Sequence, residues 1–164
     1  MFLRTLTLVV TVCGGLLAAQ FPAFSQQYAQ RLGGAVDELA RVVADFDASA
    51  QAAGLTRQAA LAELRGTVFL ERRQQDMRRS VGRLKTLRGD LEALKGAGPF
   101  MRAYYIGHLT DRDVVRRTLE TFKPGLPVGT AGFSFFVLGW LAASGIVSLC
   151  ARLLRRRPRT PRPA

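Results

Sequence analysis

Residues that carry most protein chemistry are scarce in this chain. It has one histidine, His108, and two cysteines, Cys13 and Cys150, in 164 residues. A lone imidazole with no cysteine beside it cannot fill the usual zinc ligand sets, and its sequence neighbours Asp111 and Asp113 offer carboxylates only. Asp111 is better placed in the first turn of a helix, where the dipole favours a carboxylate. Cys13 stands nine residues from Arg4, whereas Cys150 is two from Arg152. That is about 13 Å of helix against about 3 Å, so in a membrane the two sit at different depths and no disulfide is expected. Residues 26–124 hold no cysteine, and packing alone must keep them folded. No cofactor or small-molecule substrate is indicated, and period-two alternation with turn chemistry is missing, so no strands are expected.

Acid is also short: 12 Asp and Glu stand against 24 Lys and Arg, a net charge of +12. Such a balance raises the question of nucleic acid, but Arg72-Arg73 and Arg78-Arg79 come without interleaved aromatics or a nucleic-acid-binding motif. None is expected as a partner. The group Asp37, Glu38, Asp45 and Asp47 falls on the solvated side of a helical pattern, with no apolar pocket to raise a carboxyl pKa.

Charge of either sign is absent from residues 5–30 and 124–151, stretches of 26 and 28 residues. A helix needs roughly 20 apolar residues to cross the hydrocarbon layer. Leu126 to Leu149 meets that, with Phe133, Phe135, Phe136, Trp140 and Ile146 among them and only Ser and Thr as polar members. Leu3 to Phe24 reads as a second span with Pro22 in its last turn. The competing reading is a cleaved leader, with Arg4 as its basic start and Ala23-Phe24-Ser25 as a small-x-small processing site. Arg152, Arg155, Arg156, Arg157, Arg159 and Arg162 follow the second span without an acid and hold that end in the cytoplasm. The segment between the spans then lies outside, its 17 basic and 12 acidic residues being no barrier in a long loop. Arg152, Arg155, Arg156 and Arg157 are positioned to meet anionic lipid, or serve only as a topology signal.

The middle reads as helices. Leu32, Val36, Leu39, Val43, Phe46 and Ala50 are spaced by gaps of 4, 3, 4, 3 and 4, which keeps one face apolar toward a partner helix. Gly54 is placed to end this helix and Thr56 to start the next. A second helix is expected from Thr56 to Lys95. Leu61, Leu64 and Val68 open its stripe, Met77, Val81, Leu84, Leu91 and Leu94 resume it, and a stutter or kink is expected across Glu71–Asp76. Gly96, Gly98 and Pro99 close it. Phe100, Met101, Tyr104, Tyr105 and Leu109 then share one side of a short helix, and Thr110 caps a final helix through Phe122. The fold class expected is all-α: two transmembrane helices (1–25 and 125–151) flanking a helical hairpin, coiled-coil-like in its repeat (26–124), with a basic tail (152–164). Gly14 with Ala18 and Gly139 with Ala143 are small-x-x-x-small pairs that let helices approach closely, within one chain or between two.

Residues 20–28 and 30–39, from Gln20-Phe21-Pro22-Ala23-Phe24-Ser25 to Ala35-Val36-Asp37-Glu38-Leu39, resemble a proteobacterial family of small membrane proteins with no assigned function. Pro124-Gly125-Leu126-Pro127-Val128 is similar to the same family. The resemblance implies a bacterial inner membrane, two spans and a periplasmic segment, and it favours keeping the first span because the matching string crosses the processing site. It carries no catalytic residues. The function expected from these readings is a non-catalytic scaffold or accessory subunit that meets lipids and a second copy or another membrane protein through helix–helix contacts. The alternatives are an accessory component of a transport or envelope complex, and a cleaved precursor with one C-terminal anchor.

Overall fold

A computed structural model of the chain describes residues 2–126 and 129–155. Among them there is no strand. The helices run in the order α1 (Phe2–Ala19), α2 (Phe21–Ala52), α3 (Arg57–Glu63), α4 (Val68–Leu94), α5 (Pro99–Tyr104), a 3₁₀ turn (Ile106–His108), α6 (Arg112–Thr121) and α7 (Thr130–Arg155). They form two compact units, one from residues 1–24 with the segment from Lys123 onward, the other from Ser25–Phe122.

The first unit is built on the pair α1 and α7; the helical stretch Arg4–Ala52 that α1 opens, and Thr130–Leu153 of α7, are each long and apolar enough to cross a membrane. A Cβ added at Gly14 would lie 2.7 Å from the Ala143 Cβ, and one at Gly15 would lie 2.8 Å from the Phe136 ring. Gly139 is tighter still, with Ala18 and the Gly14 carbonyl in the space a side chain would take. The two small-residue faces therefore pair within one chain, backbone against backbone. Ser134 and Ser144 donate to the carbonyls of Thr130 and Trp140 on their own helix, so their hydroxyls need no other partner in an apolar surround. Leu17, Phe133, Leu141, Ile146 and Leu149 are exposed on the outside, the arrangement a hydrocarbon solvent favours.

Three span boundaries differ from the sequence expectation. The first helix breaks at Gln20, and Pro22 opens α2 rather than closing α1. In the first turn of a helix the missing proline N–H costs nothing. Leu126 precedes the second span instead of starting it, since α7 begins at Thr130. Helix α7 continues to Arg155, which puts Arg152 on the helix and not in a tail. Pro127, Val128, Arg156, Arg157 and the rest of the C-terminal segment lie outside the described residues.

The second unit has its own core. Tyr28, Leu32, Val36 and Val43 of α2 meet Leu84, Leu87 and Leu94 of α4 and Val114 of α6. Leu39 packs against this group and Phe46 is half-buried. The repeat along α2 is thus covered by helices of the same chain. Helix α2 ends in a Schellman motif: Gly54 takes φ +69°, the Leu55 amide bonds the Ala50 carbonyl at 2.8 Å, and the Gly54 amide bonds Gln51 at 2.9 Å. Thr56 then caps α3.

The expected helix from Thr56 to Lys95 is two helices. Gly66 adopts φ +94°, and the Thr67 hydroxyl accepts from the Leu70 amide at 3.2 Å, a new N-cap. Val68, expected in the buried stripe, is instead 70% exposed. The interval Glu71–Asp76 does not break α4; it lies within continuous helix, and Glu71 is in the first turn, where a carboxylate is favoured. Its polarity reflects solvent exposure, not a loss of helical phase.

Candidate functional site

Among the described residues, Tyr28, Arg83, Asp90, His108, Thr110 and Asp111 form one group of polar side chains, drawn from α2, α4 and the segment before α6. Asp90 is the buried member, with the residue 6% exposed. Its Oδ1 lies 2.9 Å from His108 Nδ1, and its Oδ2 accepts from the Thr110 hydroxyl at 2.6 Å. With the carboxylate ionised, Nδ1 carries the proton and donates it. The imidazole also meets the Tyr105 ring edge-on, with centroids 5.9 Å apart.

Asp111 forms the other half. Its Oδ1 accepts from the amides of Asp113 and Val114 at 3.1 and 3.0 Å, which makes Asp111 the N-cap of α6 in place of the expected Thr110. Arg83 donates to the same carboxylate through Nε at 2.9 Å and through a second nitrogen at 3.1 Å. This two-point pairing suits the planar guanidinium. Because Asp111 is held by the helix start and by Arg83, His108 turns to Asp90, 18 residues upstream, and not to Asp111 or Asp113. No group of three His, Cys, Asp or Glu side chains among the described residues could hold a metal ion.

Tyr28 sits beneath this group, fully buried, its hydroxyl close to the Asp111 backbone but without a hydrogen bond of good geometry. Burial pushes the phenol up to about 12; the Asp111 backbone opposes this, and the Asp90 and Asp111 charges add to it. Chemically, Asp90 and His108 are a carboxylate orienting an imidazole, the relation of an orienting group to a general base. Their bonds here tie α4 to the 3₁₀ turn and to the start of α6, and Arg83 with Asp111 repeats the tie about two helix turns away along α4. The cluster fastens the unit.

A family model described as "Protein of unknown function (DUF2937)" matches residues 2–160. The chain belongs to the DUF2937 family. No curated protein and no solved structure matches it. Membership brings no catalytic residue to the Asp90 cluster, so the chemistry there is read from its geometry.

The other residues singled out by sequence lie apart from the cluster. Gly139 and Ala143 belong to the span pair, and Cys13 and Cys150 are free and exposed. Arg152 is exposed near the end of α7, and Arg155 is its last residue. Of the acidic group, Asp37, Glu38 and Asp45 are exposed as expected, but Asp47 accepts from Arg57 Nε at 2.6 Å and from a second guanidinium nitrogen. The Arg57 hydrogen bonds hold the Asp47 carboxyl below the usual range. Asp90 was missed by sequence reasoning. Its signal was a single acid inside the α4 apolar stripe, between Leu87 and Leu91 at gaps of 3 and 1.

Gln20 was also undervalued. In the joint between α1 and α2 its side-chain amide donates to the Gly125 carbonyl at 3.2 Å and accepts from the Gly125 amide at 3.2 Å. One side chain thereby satisfies both polar groups of the backbone that leads to α7, a need that grows where water is scarce.

Proposed function

We propose that the protein is a non-catalytic scaffold or accessory protein of a bacterial inner membrane, acting through helix–helix contacts. Both chain ends are cytoplasmic in this reading, and residues 25–122 lie in the periplasm. The basic residues after the second span support that orientation. The interlocked Gly14, Ala18, Gly139 and Ala143 support a first span that is kept rather than cleaved.

The observation that carries the reading is Val68-Phe69. The second unit covers the α2 repeat with its own helices, yet leaves Val68 and Phe69 each 70% exposed. The Thr67 cap fixes both on a regular helix start. They stand at the opposite end of α4 from Leu94, which is about 39 Å away along the helix. A large apolar pair held rigidly at that end is suited to an apolar helix of a partner protein.

A photocrosslinking residue placed at Phe69 in native membranes tests this, with Arg78, exposed on the opposite side of α4, as the control. The expected result is a discrete adduct from Phe69, absent from Arg78 and lost on Val68→Ser. Labelling that is equal at both positions, or absent from Phe69, overturns the reading.

A further inference from the structure

The sequence groups Phe100, Met101, Tyr104, Tyr105 and Leu109 on one side of a short helix; the structure divides them. Tyr105 and Leu109 turn inward against the Tyr28 core. Phe100, Met101 and Tyr104 face outward, 52%, 47% and 78% exposed, and Ile106 joins them at 60%. Four large apolar residues within seven positions form one patch. Pro99 starts α5, Tyr105 and Leu109 are half-buried against the core, and His108 is tied to Asp90, so the patch is held from beneath.

Its place in the second unit is set by the same core. Tyr28 is only four residues beyond Phe24, about 6 Å along a helix. Ser25 and Phe122 are the two ends of the unit, and the Arg31 guanidinium donates to the Thr121 hydroxyl, so both chain connections to the spans leave from one end. The segment carrying the patch packs against the core cluster that contains Tyr28 through Tyr105 and Leu109, and is tied toward that end through His108 and Asp90, whose charge acts on Tyr28. From Lys95 to Thr110 the sequence holds two basic residues, Lys95 and Arg102, one histidine and no acid.

We propose that Phe100, Met101, Tyr104 and Ile106 insert into the lipid interface, giving the second unit a membrane contact of its own. Tyrosine with aliphatic neighbours suits the depth of the headgroups, and Lys95 and Arg102 complement anionic lipid. The inference needs the two spans but is independent of any partner at Phe69.

The test uses the full chain in bilayers of phosphatidylethanolamine and phosphatidylglycerol, with Trp140→Phe removing the single native tryptophan. Tyr104→Trp, and separately Ile106→Trp, is then read by quenching from lipids spin-labelled near the headgroup; Phe69→Trp is the control. Tyr104→Trp and Ile106→Trp should be quenched about threefold more by lipid label than Phe69→Trp, and be shielded from aqueous iodide. Lipid quenching no greater than the control overturns the proposal, whether the probe is open to iodide (a free surface) or closed to it (a protein partner). Unchanged helical circular dichroism in both variants confirms that the fold is intact, and two independent probes guard against one failing to fold.

Discussion

Tyr28 buries its phenol completely in the second unit, and the hydroxyl gains no well-formed hydrogen bond in return. An unsatisfied buried hydroxyl is a cost, so Tyr28→Phe should leave stability unchanged or raise it by about 1 kcal/mol near neutral pH. The pH dependence has a definite sign. The unfolded phenol ionises near 10.0, while the folded one keeps its proton to about 12. Stability is therefore fully present below pH 10 and falls as pH rises toward 12, because the unfolded state loses its proton first. Thermal unfolding in detergent should show this alkaline loss, with Tyr28→Phe losing less. Asp90 stands in contrast, since both of its oxygens are bonded. Asp90→Ala would leave the His108 and Thr110 donors without their partner and should cost about 1–3 kcal/mol in the same melts.

At the level of elements, the helix ends follow local chemistry, and some of that chemistry is readable in one dimension. Gly54 and Thr56 were legible because a glycine able to take positive φ and a hydroxyl able to cap stood together at the end of an apolar repeat. The second such pair, Gly66 and Thr67, was hidden by the run Leu61, Leu64, Val68, whose spacing imitates one continuous face. Leu61 is buried, but Val68 belongs to a separate helix and points to the surface. Thr67→Ala should cost about 1 kcal/mol by removing the cap. Amide exchange at Leu70, whose N–H bonds the Thr67 hydroxyl at 3.2 Å, should accelerate more than exchange at Leu87 in the middle of α4.

For the whole molecule, the two units use different means of association. The span pair brings backbones together at Gly14, Gly15 and Gly139, where any side chain would collide with its neighbour. In the second unit Gly33 and Gly34 have nothing within 4 Å of where a Cβ would stand, and large side chains such as Tyr28, Leu87 and Leu94 fill the core. The contrast is the one expected of a unit that faces lipid, where burying Leu gains little and close approach is what remains. Gly139→Ile should therefore part α1 from α7, while Gly34→Ala, in open space, should not. Energy transfer from Trp140 to a label on Cys13, with Cys150→Ser, reads the separation directly. It should fall in Gly139→Ile and stay unchanged in Gly34→Ala.

Two properties were fixed along the chain itself: the helical class, and the pair of segments apolar enough to cross a membrane. Both depend on composition and spacing over some twenty neighbouring residues, which no distant contact alters. What folding alone decided is which surfaces meet. Gly14 could have faced another molecule as readily as Ala143, and only packing chose. His108 had two carboxylates close in sequence and found a third, because Asp111 was already committed to the start of α6. The residues from Phe100 to Leu109 had one apolar label until the Tyr28 core drew in two and left the others outside. A side chain's affinity for oil is intrinsic to it, but whether that oil is the protein's own core or something beyond it depends on the neighbours that arrive in space.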